Sequence, residues 1–423
     1  MIKEEMIRRV MERIDLTEEI SDEEIRMKIR QVILEETRDV YLSLNKKEQI
    51  CNEVFYSLRR LDILQDMLED DEITEIMING YDKIFIEKNG RLFRTKEKFS
   101  SKAKFEQVIQ QIVARTNRIV NESSPIVDAR LEDGSRVHVL LEPIALDGST
   151  MTIRKFSKEI TSMSQLLKLH SLNEELIEFL SIMVKARMNI FISGGTGAGK
   201  TTMLNALSNC IPKDERIITI EDSAELKLSG IENLVRLEAR NANLEGENQI
   251  RIKDLIRASL RMRPDRIIVG EVRGEECIDM IQACNTGHDG SLSTGHGNSN
   301  RDMLFRLETM VLMGMDLPVS AIRGQIASAF DLMIHISRMR DRTRKIVEIS
   351  EITGIENGEI LLRVLYEFVE TGERHGKIEG RFVRKNRLLS VKKIKERGLG
   401  GEYEALLSRY KDQEGYSVVS DGC

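Results

Sequence analysis

Apolar residues along this chain recur first with a helical period, then with a strand period, then in short continuous runs. Each change marks a boundary. Up to about residue 68 the stripes are helical: Ile25, Ile29, Val32 and Ile33 form one face, and Ile50, Val54, Leu58 and Leu61 another. Ser21-Asp22-Glu23-Glu24 places a capping box ahead of the first. The residues between are mostly charged. They predict a helical N-terminal extension over 1–68, either a small bundle with solvated faces or a docking arm. From 69 the period shortens. Glu75–Ile78, Lys83–Glu87 and Arg91–Arg94 predict strands, with Asn79-Gly80 and Asn89-Gly90 at the turns. Phe105, Val108, Ile109, Ile112 and Val113 share one helical face, and Ile126–Leu131, Ser135–Leu140 and Thr150–Lys155 predict further strands. Sheet plus helix makes 69–156 an α+β N-terminal domain.

Residues 157–187 read as a linker and a helix carrying Leu176, Leu180, Met183 and Val184 on one side. Over 188–388 the texture differs again. Asn189–Ser193, Arg216–Ile220 and Arg266–Gly270 are short apolar runs, as in strands buried on both faces of a mostly parallel sheet. Helical stripes alternate with them, so the class is α/β. Leu304, Leu307 and Val311 mark a late helix, Pro318 opens another, and Leu332–Ser337 with Lys345–Ile352 form a hairpin-like pair. The C-terminal tail, 389–423, is basic and then polar, a helix with a frayed end.

Charge narrows the function classes. Lys and Arg number 64 against 70 Asp and Glu, a net −6, and Trp is absent. A nucleic-acid binder would show a basic excess and stacking aromatics, so none is expected as a partner. The five cysteines form no C-x-x-C pair, which predicts neither a zinc site nor a disulfide framework. The stretch Met1–Met6 has no apolar signal core, and no apolar run approaches the roughly 20 residues needed to cross a bilayer. A cytoplasmic location is the expectation.

One motif supplies chemistry. Ser193-Gly194-Gly195-Thr196-Gly197-Ala198-Gly199-Lys200-Thr201-Thr202 fits the phosphate-loop pattern G-x-x-x-x-G-K-[ST], with an apolar strand before it and a helical stripe after it. Glycines let backbone N–H groups turn toward a phosphate chain, and the helix N-terminus adds positive potential. Lys200 is placed for the β and γ phosphates, and the Thr201 hydroxyl for Mg²⁺. ATP and Mg²⁺ are therefore the expected cofactors. Acids end the two downstream strands: Glu221-Asp222, with Glu225, after Ile220, and Glu271 after Gly270. Gly270 occupies the position where an Asp is usual. Thr286-Gly287-His288 to Thr294-Gly295-His296-Gly297 follows, glycine-rich with two histidines.

In this order the segments resemble the four boxes of the secretion ATPase superfamily: the phosphate loop, Ile220–Leu226, Arg263–Glu275, and Thr286 to His296. Ile73–Gly80, Asp128-Ala129-Arg130-Leu131 and Asp133-Gly134-Ser135-Arg136 resemble the family's N-terminal domain. The branch it most resembles is the tight-adherence (Tad/Flp) pilus ATPases of CpaF type, and the missing four-cysteine zinc insertion of many type II enzymes favours either this or the type IV secretion branch. The resemblance implies a RecA-like P-loop domain preceded by a PAS-like α+β domain. It implies a hexameric ring on the cytoplasmic membrane that works an inner-membrane platform protein. It also implies roles: Thr201 with Glu271 holding Mg²⁺, Glu221 or Glu271 activating water, and His296 sensing γ-phosphate. Arg130 and Arg136 would neutralise transition-state charge. A type IV secretion ring ATPase and a pilus-retraction motor are the alternatives, and the acidic balance opposes a nucleic-acid translocase. Gly297 where Ala is usual, and Asp341-Arg342-Thr343-Arg344 where a turn glycine is common, depart from the pattern.

Overall fold

The structure, a computed structural model, describes residues 2–13, 20–37, 42–88, 90–116, 118–155, 162–240 and 248–410. Asn89 of the expected Asn-Gly turn, residue 156 at the end of the expected α+β domain, 157–161 of the linker and 411–423 of the tail lie outside these. Two compact units divide the chain, Met1–Ser157 and Lys158–Cys423.

The first unit opens with α1 (Ile2–Glu12), α2 (Asp22–Glu36) and α3 (Leu44–Arg59). Ser21 caps α2 reciprocally: its hydroxyl accepts from Glu24 N, and Glu24 accepts from Ser21 N. Ile25, Ile29, Val32 and Ile33 cluster with Ile50 and Val54, and Cys51 and Phe55 complete the face where Leu58 is only partly buried. After α4 (Leu64–Glu69) come β1 (Ile73–Asn79), β2 (Ile84–Lys88), β3 (Arg91–Arg94), α5 (Lys102–Ala114), β4 (Ile126–Arg130), β5 (Arg136–Leu140) and β6 (Thr150–Arg154). The strands make one antiparallel sheet in the order β3-β2-β1-β6-β5-β4. Phe105, Val108, Ile109, Ile112 and Val113 of α5 pack with Ile76, Ile78, Val137, Val139, Met151 and Ile153 of the sheet, each strand contributing alternate residues.

The second unit runs α6 (Met163–Lys168), α7 (Glu174–Lys185), β7 (Ile190–Gly194), α8 (Lys200–Ser208), β8 (Ile217–Glu221), β9 (Leu234–Glu238), α9 (Ile252–Ser259), β10 (Arg266–Val269), α10 (Cys277–Asn285) and β11 (Leu292–His296). It continues with α11 (Asn300–Gly314), α12 (Val319–Ala329), β12 (Leu332–Arg338), β13 (Arg344–Glu356), β14 (Glu359–Arg374), β15 (Lys377–Arg384), α13 (Lys392–Glu396) and α14 (Gly400–Arg409). Nine strands form one sheet, β15-β14-β13-β12-β7-β11-β10-β8-β9, parallel from β12 to β9 and antiparallel beyond. Helices cover both faces, which is why β7, β8 and β10 are buried at every residue and carry almost only apolar side chains. Leu180, Leu204, Leu207 and Leu406 belong to one apolar layer, and Ile281, Leu304, Leu307 and Ile326 to the other. Among the charged residues, Arg266 is fully buried. It is held by Glu215 at 2.6 and 2.9 Å and donates to the Val184 carbonyl. Among the described residues no helix is long and apolar enough to cross a membrane.

Candidate functional site

Four adjacent parallel strands, β8, β10, β11 and β7, end on one edge of the sheet, and the chemistry-bearing residues stand at those ends. Glu221 ends β8, Gly270 and Glu271 follow β10, His296 ends β11, and Gly194 opens the phosphate loop after β7. Register pairs His296 with Gly194. Open α/β sheets place ligands at this carboxyl edge because helix N-termini and loop amides converge there.

Space and conformation account for two of the loop's glycines. A Cβ on Gly194 would lie 2.5 Å from the Ile336 carbonyl of the neighbouring strand. Gly199, at φ +96, is the N-cap of α8 and offers no side chain to bond the helix's first amides. Lys200 begins α8 nearly buried. Its Nζ donates to the Gly195 carbonyl at 3.1 Å and lies 3.2 Å from His296 Nδ1. An ammonium only donates, so Nδ1 accepts and the ring proton sits on Nε2. Nε2 lies 2.8 Å from Glu271 Oε1, in contact without the alignment of a hydrogen bond. Burial holds the His296 pKa below the ordinary value against the raising pull of Glu271, which keeps the imidazole neutral. The other Glu271 oxygen takes Arg273 through Nε and Nη2, at 3.0 and 2.7 Å. Lys200, His296, Glu271 and Arg273 thus form one continuous polar chain.

Glu221 stands apart from that chain. Its Oε2 accepts from the amides of Glu225 and Leu226 at 2.7 and 2.9 Å, while its buried Oε1 has no protein partner. Burial raises its pKa, opposed by those two amides. A buried carboxylate with one oxygen fixed and one unclaimed suits a water or a cation. Hard oxygen donors, the Thr201 hydroxyl and these carboxylates, fit Mg²⁺. Gly270 is a glycine because Glu221 fills the space: a Cβ there would lie 3.0 Å from Glu221 Cγ. Gly297 has the same reason, with Met303 Cβ at 3.1 Å. At the late turn, Arg342 adopts φ +68, the left-handed position a glycine would take.

In the first unit, strand register puts Arg130 opposite Arg136, and Arg136 opposite Arg154. Three guanidinium side chains share one row on one face. His138 lies 2.7 Å from Asp128 on the neighbouring strand, His288 contacts its own helix end at the Ala283 carbonyl, and His335 is buried against Ser193. None of the three joins the polar chain. Arg273 does, although sequence reasoning gave it no role. The only signal was its position two residues past Glu271.

The model of the family described as Type II/IV secretion system protein matches residues 58–380. The chain is 32% identical over 317 residues to the type IV secretion system protein PtlH of Bordetella pertussis, covering 68% of this chain and 93% of that protein. It is 31% identical over 294 residues to the conjugal transfer protein TrbB of Rhizobium radiobacter, covering 69% and 87%. Its fold is similar to the ATPase DotB of Legionella pneumophila, with a TM-score of 0.50 at 21% identity over 70% of this chain and 80% of that one.

Proposed function

The chain belongs to the Type II/IV secretion system protein family, and from that premise we propose that it hydrolyses ATP to ADP and phosphate and passes the work to a secretion or pilus machine. The observation that carries the reading is the convergence, on one sheet edge, of the phosphate loop, the Lys200–His296–Glu271–Arg273 chain and the unclaimed Glu221 oxygen. Loop amides and Lys200 hold the β and γ phosphates. Bound Mg²⁺ would be held by Thr201 and, directly or through water, Glu271, and supplies charge neutralisation across the phosphates. Glu221, fixed by two amides, orients the attacking water through Oε1. Neutral His296 links the γ-phosphate region to Glu271, so loss of that phosphate is felt along the chain to Arg273. Arg130 and Arg136, side by side in strand register, are placed to neutralise developing charge.

The finer reading is a hexameric ring of the tight-adherence type, cytoplasmic and held at the membrane by an inner-membrane platform protein. A type IV secretion or conjugation-type ring is the second reading, favoured by the similarity to PtlH and TrbB. Light scattering with nucleotide, together with phosphate release by the wild type and by Lys200→Ala, tests the ring ATPase. A hexamer whose turnover disappears with Lys200 is expected. A fully active monomer, or a Lys200→Ala variant at wild-type rate, would overturn it.

A further inference from the structure

The β12–β13 turn lies against the outer side of the phosphate loop. β12 runs parallel to β7 with Ile336 opposite Gly194, so the two chains leave the sheet side by side. Arg344, the first residue of β13, reaches back from the turn, and its Nε donates to the Gly197 carbonyl at 2.8 Å. Its stem covers Gly199, where a Cβ would meet Arg344 Cδ at 3.2 Å. The turn that aims Arg344 is itself fixed. Met339 N donates to the Thr343 carbonyl at 2.8 Å. Asp341 accepts from Thr343 N and hydroxyl through one oxygen, and from Ile378 N on β15 through the other at 2.9 Å. Arg340 pairs with Glu370 and Glu373 on β14. Two hairpins therefore hold this arginine where it is.

Peptide geometry turns that contact into a consequence. In the trans plane joining Gly197 to Ala198 the C=O and N–H point in opposite directions. A carbonyl held outward by Arg344 sends Ala198 N–H inward. There it donates to the Gly195 carbonyl at 3.3 Å, the same oxygen that receives Lys200 Nζ. Gly197 at φ +69 lies on one side of Ala198 and Gly199 at φ +96 on the other. Turning this peptide rotates ψ of Gly197, where no Cβ opposes it, and φ of Ala198, so an outward hydrogen bond on the Gly197 carbonyl adds to what fixes its sense. A flip would put a carbonyl oxygen where a phosphate oxygen has to be.

We propose that Arg344 is a positioning residue for nucleotide binding. It locks the Gly197–Ala198 peptide so that the Gly197 carbonyl stays turned away from the phosphate chain and the Ala198 amide stays on the loop's inner side. The inference rests on the reading of the loop as an ATP site.

Side-chain chemistry provides the test. Gln carries its amide nitrogen the same number of bonds from Cα as Arg Nε, without the charge, and Met puts a methyl there. Arg344 is exposed, so neither change disturbs a core. With a fluorescent ATP analogue and Mg²⁺, Arg344→Met should raise Kd and KM roughly three- to tenfold, the loss of one hydrogen bond. Its kcat and melting temperature should stay near wild type, and Arg344→Gln should bind within about twofold of wild type, since the donor remains. Equal weakening in both variants would show that charge alone matters, and no weakening in either would show that the contact is idle; each overturns the proposal. Lys200→Ala in the same assay separates the two readings. If it loses the analogue while Arg344→Met keeps it, the ATP site stands and the role of Arg344 falls. A wild type that never binds the analogue overturns both.

Discussion

Replacing Gly270 tests whether its lack of a side chain is dictated by Glu221. A Cβ at 270 would approach Glu221 Cγ to 3.0 Å, with Cβ at 3.6 and Cα at 3.7 Å. Glu221 has little room to retreat: it is 3% exposed, and its Oε2 is fixed by the amides of Glu225 and Leu226. Either the strand ends spread or the carboxylate swings off those amides. Forced contacts in a packed site cost about 1–3 kcal/mol, and a hydrogen bond to a charged acceptor is worth about 1.5–3 kcal/mol. Gly270→Ala should therefore cost about 2 kcal/mol, which for a unit of this size lowers the melting midpoint by roughly 4–8 °C. Gly270→Asp, which installs the acid usual at this position, should do worse, because it adds a like charge beside Glu221. Differential scanning fluorimetry without nucleotide reads the stability, and phosphate release the turnover, which should fall at least tenfold in both variants. Wild-type stability and turnover in Gly270→Ala would refute the packing argument.

Glu221 needs its charge to orient water, and burial raises its pKa above the ordinary glutamate value. Turnover is therefore present above that raised pKa and lost as pH falls through it, so kcat should decline before the ordinary carboxylate range is reached; a profile that stays flat until that range would contradict this. Glu215→Ala leaves Arg266 as a buried unpaired cation and should cost about 3–5 kcal/mol in thermal unfolding. In the Arg130–Arg136 row, alanine at either position should leave the thermal midpoint near that of the wild type, since exposed or half-buried arginines contribute little to stability. Turnover should still fall by roughly 10³-fold, and mixing Arg130→Ala with Lys200→Ala subunits should restore part of it if the arginine serves a neighbour. Normal hydrolysis by both single variants would make the row structural.

The strands at the centre of the second unit were legible because burial on both faces leaves a continuous apolar run, as in Ile190–Ser193 and Ile217–Ile220. The helical stripe of α2 was legible for the converse reason, one buried face among charges. The long β14 was not. It carries Arg363, Glu367, Glu370 and Glu373, and only Leu365, Tyr366 and Phe368 are buried, so neither period shows. Edge strand β9 is half-buried throughout or exposed and gave no run either. At the site, residues ending apolar strands were found, since strand ends can be read from composition. Arg273 and Arg344 were not, because each acts by folding back from a loop or turn onto a residue near in space, and spacing along the chain carries no record of that. Gly270 looked like a missing acid until the structure showed Glu221 in its space.

The account stands or falls on hydrolysis at Glu221. The measurement is phosphate release from ATP with Mg²⁺ by wild type beside Glu221→Gln, with binding of a fluorescent ATP analogue followed in the same preparations. The account predicts that the wild type turns over, and that the variant holds the analogue as tightly yet releases phosphate roughly 10²–10⁴-fold more slowly. A Glu221→Gln protein that hydrolyses ATP at the wild-type rate would contradict it.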